Sequence, residues 1–140
     1  MKRARATLAV LLAHMIDELG MDPSLGILRV IRDPGQDRLN AKDPRRFCYV
    51  LPRDPHIYCA NAIEALTEPY RAGIILHEIG HVAMNAFKGS ISEPVVDSFI
   101  LLALPASGYT YKDCSYDLKG EPRHAKNLQW VSPEWIRRIG

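Results

Sequence analysis

The sequence predicts an α+β fold in a single domain, 1–140, and three observations carry that expectation. Apolar residues recur at helical spacing near the N-terminus and again beyond position 66. Between these stretches lie three short runs rich in β-branched and aromatic residues, bounded by Pro, Gly and Asp clusters. A length of 140 residues, 47% hydrophobic and 24% charged, suits one domain with a proper buried core.

The elements follow in chain order. Leu8, Leu11, Leu12, Met15, Ile16 and Leu19 form one apolar stripe, with Arg5, His14, Asp17 and Glu18 elsewhere, which predicts an amphipathic N-terminal helix. The basic start and the apolar 7–13 run imitate a secretory signal. Helical periodicity favours the core helix instead, and no A-x-A cleavage site follows the apolar run. The runs 27–32, 46–51 and 56–60 predict a small twisted sheet, separated by Asp33-Pro34-Gly35 and Pro52-Arg53-Asp54-Pro55. Thr67-Glu68-Pro69 then opens a proline-free helical window, 70–87. Ser92-Glu93-Pro94 opens another, carrying Val95, Val96, Phe99, Ile100, Leu102 and Ala103 as far as Pro105. Ser132-Pro133-Glu134 starts a last short helix through Trp135, Ile136 and Ile139.

Inside the 70–87 window stands His77-Glu78-Ile79-Gly80-His81, an HExxH motif. Residues four apart share a helix face, so both imidazoles can address one metal ion. Glu78 lies about 100° round the helix from His77, beside the metal rather than on it, where a general base belongs. Two histidines and a carboxylate on zinc leave a position for water, whose pKa falls to about 7. Gly80 costs such a helix about 1 kcal/mol relative to alanine, which predicts a close packing partner at that position.

The site needs a third ligand. Glu93 and Asp97 are four apart on the next predicted helix, and the short 88–91 connection makes the two helices neighbours. Glu93 is assigned to the metal, and Asp97 to a hydrogen bond with the far nitrogen of a ligating histidine. The exchanged assignment, Asp97 on the metal, stays open.

HEIGH followed by Glu-x-x-x-Asp on the next helix resembles the gluzincin metallopeptidases. The fuller pattern of Glu93, Asp97, Phe99, Leu102 and Pro105 is similar to the ImmA/IrrE family, as is the lead-in from Arg71 to Leu76. Val96, Asp97 and the early Pro105 depart from that family's pattern. The resemblance implies a minimal zincin-like domain, with one zinc per chain held by His77, His81 and Glu93. It further implies Glu78 as catalytic base of an endopeptidase acting on an extended peptide or unfolded protein. In zincins an edge strand beside the metal helix pairs with substrate, and by chain position 56–60 is the candidate. Met84 and Phe87 stand where a metzincin needs glycine and histidine.

Two rival readings carry their own marks. An ImmA/IrrE-like regulatory module would bind or cleave a repressor partner. A structural zinc protein would close the fourth position with a side chain such as His124 or Cys114. Tyr109, Tyr111, Tyr116 and His124 are the candidates for oxyanion stabilisation, and nothing in their spacing selects one. A net charge of +2, from 18 basic and 16 acidic residues, gives no reason to expect nucleic acid as a partner. No apolar run is long enough to span a bilayer, so no membrane partner is expected. Cys48, Cys59 and Cys114 are odd in number and lack CxxC spacing, which favours a reducing, cytoplasmic setting; a Cys48–Cys59 bridge is conceivable.

Overall fold

The computed structural model describes residues 1–44 and 46–87, together with Val96, Phe99, Ile100 and Ala103. Among the described residues, three helices whose bounds are seen and a three-stranded mixed sheet make a small α+β fold. The elements are α1 (Lys2–Asp17), β1 (Arg29–Arg32), α2 (Pro34–Lys42), β2 (Cys48–Tyr49), β3 (His56–Cys59) and α3 (Glu68–Ala83). Pro23–Ile27 and Asn61–Ala65 form 3₁₀ turns. The first of these takes over the start of the predicted 27–32 strand. None of the described helices is long and apolar enough to cross a membrane.

The amphipathic stripe of α1 is buried, Leu8, Leu11, Leu12 and Met15 included, and packs on α3. Every residue from Arg71 through Gly80 in α3 is buried, so this helix runs through the middle of the core. Two polar brackets fix the pair. The buried Arg71 guanidinium donates to Thr7 Oγ1 (3.0 Å) and to the Leu66 carbonyl (2.7 Å). The Glu64 carboxylate accepts from the amides of Arg3 and Ala4, satisfying donors that the first turn of α1 leaves open.

The strand order is β1-β3-β2, with β1 parallel and β2 antiparallel to β3. β3 is therefore the central strand. The expectation that 56–60 forms the substrate-facing edge is overturned: Arg29–Arg32 pairs along one side of it, and Cys48 and Tyr49 along the other. The connections explain the order. α2 carries the chain away from β1, as a parallel pairing requires, while the short 50–55 turn folds β3 back on β2 as a hairpin. Ile57 and Cys59 face the helices and are wholly buried; Tyr49 and Tyr58, opposed on the other face, stack at 4.9 Å.

α2 was not anticipated from the sequence. Asp33-Pro34 reads as a turn, yet Asp33 accepts from the Gly35 amide as N-cap and Pro34 occupies the first turn. Only Gln36 of α2 is buried, so the helix carries no apolar period to betray it.

Gly80 has the partner that its cost predicts. A Cβ built there would lie 2.9 Å from Phe99 Cδ1 and 3.0 Å from Val96 Cγ1. Val96, Phe99, Ile100 and Ala103 are helical and buried, at the spacing of one helix face. A second helical segment thus packs on α3 at the middle of the HExxH motif.

A candidate metal centre on the third helix

α3 begins at Thr67 with Pro69 in its first turn, as predicted, but ends at Ala83, four residues short of the expected 87. Its end is informative. Asn85 adopts φ +50°, the left-handed conformation that asparagine tolerates better than other side-chain-bearing residues. The Ala86 amide then donates to the His81 carbonyl and the Asn85 amide to that of Val82, the paired bonds of a Schellman cap.

That cap brings the Ala86 carbonyl onto the His81 ring, where it pairs with Nδ1. A carbonyl only accepts, so Nδ1 carries the hydrogen, and Nε2 of the neutral ring presents a lone pair. His81 Nε2 stands 3.1 Å from His77 Nε2, with the two rings edge to face at 79°. Two nitrogens bonded to one tetrahedral zinc at about 2.05 Å lie about 3.3 Å apart, so the pair is close to the spacing zinc needs. The orientation of His81 fits as well, because a ligating histidine normally donates its other N–H to a carbonyl or carboxylate.

Glu78 is 8% exposed and His77 7%, and both reach the same cleft as His81. The cleft encloses about 690 Å³. Cys48, Tyr49 and Val50 border it on the β2 side, and Asp33, Gln36 and Leu39 at α2. Across this wall the Tyr49 hydroxyl donates to Asp33 Oδ2 at 2.6 Å. That bond, followed by burial, pushes the Tyr49 hydroxyl up to about 12. At its other end the same bond, helped by the Gly35 amide, holds the Asp33 carboxyl below its ordinary value.

β2 forms the cleft-side edge of the sheet. The Ala60 amide donates to the Phe47 carbonyl, so the bonded pairs flank Cys48 and Cys59, whose Cα atoms close to 4.2 Å. That is the narrow, non-hydrogen-bonded type of antiparallel pair, in which the main-chain N–H and C=O of Cys48 turn away from β3. The cysteines of this pair are joined as a disulfide.

The structure thus brings together three predicted site residues, His77, Glu78 and His81. Glu93 and Asp97 lie outside the described residues, as do Tyr109, Tyr111, Tyr116 and His124. Among the described residues no group of three His, Cys, Asp or Glu side chains stands ready to hold a metal. Sequence reasoning missed the Ala86 carbonyl behind His81, although Asn85 just after the last helical turn was a usable stop signal. It also missed the Asp33–Tyr49 pair, whose members are far apart in the chain.

No family model matches the chain. No curated protein and no solved structure matches it either.

Proposed function

We propose that the protein is a zinc-dependent endopeptidase of zincin-like architecture, with His77, His81 and Glu93 as ligands and Glu78 as general base. One observation carries the reading. His77 and His81 hold their Nε2 atoms 3.1 Å apart on one face of α3, with the tautomer of His81 set by a backbone carbonyl. Glu93 is proposed as the third ligand from its place in the sequence, three residues before Val96, whose side chain packs on α3 at Gly80. The Asp97 carboxylate is assigned to the far nitrogen of His77, since the Ala86 carbonyl already serves His81.

Zinc in this position supplies Lewis acidity: it makes water acidic near neutral pH and polarises a carbonyl. The chain supplies the rest. Glu78, nearly buried beside both histidines, takes a proton from the attacking water and returns it to the leaving amine, so the base must be ionised when substrate binds. An extended peptide adds to β2, whose outward N–H and C=O groups at Cys48 border the cleft.

The test uses three kinds of variant. Glu78→Gln keeps the shape and removes the base, so it retains one zinc per chain and loses about 10² to 10⁴-fold in hydrolysis of an unfolded protein substrate. His77→Ala and His81→Ala abolish zinc binding, and Glu93→Ala weakens it strongly. Full zinc content in either histidine variant, or unchanged turnover by Glu78→Gln, overturns the assignment. If Asp97→Ala empties the site while Glu93→Ala does not, the two acids exchange roles.

A further inference from the structure

The Cys48–Cys59 bridge has a lopsided setting. Cys59 is wholly buried in the core, whereas Cys48 is partly exposed and lines the cleft that holds His77, Glu78 and His81. The strand it anchors is short: Cys48 and Tyr49 pair with β3, the Phe47 carbonyl just before them accepts from the Ala60 amide, and among the described residues β2 has no strand on its other side. Two ladder positions make a weak attachment, since even a complete isolated hairpin is marginal in water. The covalent link therefore sets whether this wall of the cleft is fixed.

We propose that the Cys48–Cys59 bridge is a redox control on the cleft, opened by a low-molecular-weight thiol that enters the cleft and attacks Cys48. The chemistry balances with two equivalents of that thiol. The first, as thiolate, attacks Cys48 Sγ; the bridge breaks, and Cys59 departs as a thiolate that takes up a proton. The second, as thiolate, attacks the small-molecule sulfur of the mixed disulfide; Cys48 departs as a thiolate that takes up a proton, leaving two protein thiols and one small-molecule disulfide. Access selects the sulfur, because a thiol in the cleft meets Cys48 and not Cys59. The mixed disulfide fills the space in front of Glu78. The fully reduced state leaves β2 held by main-chain bonds, with its outward groups no longer fixed for a partner strand. This control acts on the wall itself, and so holds whether the cleft hydrolyses peptides or only binds them.

The experiment equilibrates the full chain with glutathione mixtures from fully oxidised to fully reduced, quenches with a maleimide and maps the modified peptides by mass. The same samples are read by hydrogen exchange. The expected result is reversible opening within the range of glutathione mixtures, with the glutathione adduct on Cys48. Amide exchange over 47–50 rises about tenfold or more on opening, while α3 stays protected. Cys48→Ser exchanges like the reduced protein in every mixture. If that variant fails to fold, the wild-type titration decides alone. A bridge that stays closed in fully reduced glutathione, an adduct on Cys59, or unchanged exchange over 47–50 after opening overturns the proposal. Hydrolysis is followed in parallel; its absence counts against the peptidase reading, and leaves the mapping and exchange results to judge the bridge.

Discussion

Replacing Gly80 by alanine sets two opposed effects against each other at the centre of the candidate site. Alanine in place of glycine inside a helix gains about 1 kcal/mol of propensity. The new Cβ, however, would stand 2.9 Å from Phe99 Cδ1 and 3.0 Å from Val96 Cγ1, where carbon atoms in good contact sit about 3.5–4.0 Å apart. Neither neighbour is the loose end of a long chain. Phe99 is 1% exposed and Val96 0%, so relief requires the second helical segment to move off α3. Overpacking of this kind costs about 1–3 kcal/mol, which exceeds the propensity gain through most of its range. Gly80→Ala is therefore expected to lose up to about 2 kcal/mol in urea unfolding of the metal-free protein. If Glu93 ligates from that segment, zinc affinity measured against a competing chelator falls as well, by about tenfold or more. Adding Val96→Ala to Gly80→Ala should recover part of both losses, although Val96→Ala alone destabilises. A Gly80→Ala protein that is about 1 kcal/mol more stable than wild type, with unchanged zinc affinity, would refute the packing argument.

Three other outcomes are expected. Asn85→Ala places an ordinary side chain at φ +50° and should cost about 1 kcal/mol while weakening zinc binding through the loosened His81 ring; Asn85→Gly should keep both near wild type, as a chelator titration would reveal. Tyr49 should ionise near pH 12, read as the ultraviolet difference between wild type and Tyr49→Phe, and Asp33→Asn should bring it back toward the ordinary value of 10. The signs follow from the shared bond. The raised Tyr49 contributes stability that is complete below pH 10 and lost as pH rises toward 12, while the lowered Asp33 contributes stability present above its ordinary 3.8 and lost as pH falls below it. Val50→Pro deletes an edge amide bordering the cleft and should raise KM with zinc content and circular dichroism intact, whereas Tyr58→Pro, in the central strand, should disrupt the sheet itself; wild-type kinetics for a folded Val50→Pro protein would place the substrate elsewhere.

The parts legible in the sequence are those written in local spacing. The stripe of α1, the cap at Thr67 with Pro69, and the HExxH face of α3 each follow from residues three or four apart, and the structure bears them out. The cost of Gly80 also pointed correctly to a close neighbour. What was misread depends on partners distant in the chain. The 56–60 run looked like any half-buried strand, and its central place is set by how α2 and the 50–55 turn route the chain around it. α2 escaped because Arg38, Asn40 and Lys42 give no apolar rhythm, leaving the Asp33-Pro34 cap as its only mark. The odd cysteine count favours a reducing setting and leaves a Cys48–Cys59 bridge conceivable; strand register brings the two together in the structure. Glu93 and Asp97, the acids that spacing offers as partners of the two histidines, lie outside the described residues.

The carbonyl that orients His81 belongs to the main chain, and this changes how the site answers to mutation. No substitution at position 86 deletes a peptide oxygen, so a scan that replaces side chains one at a time would pass over the group that sets the tautomer of His81. The vulnerable position lies one residue earlier, at Asn85, whose left-handed backbone builds the cap. If His81 binds a metal as proposed, an alanine scan read naively would assign a metal-binding role to Asn85 and none to Ala86, although the carbonyl on the ring belongs to Ala86. Replacing the 86–87 amide by an ester, which weakens the acceptor while sparing every side chain, is the substitution that would expose it.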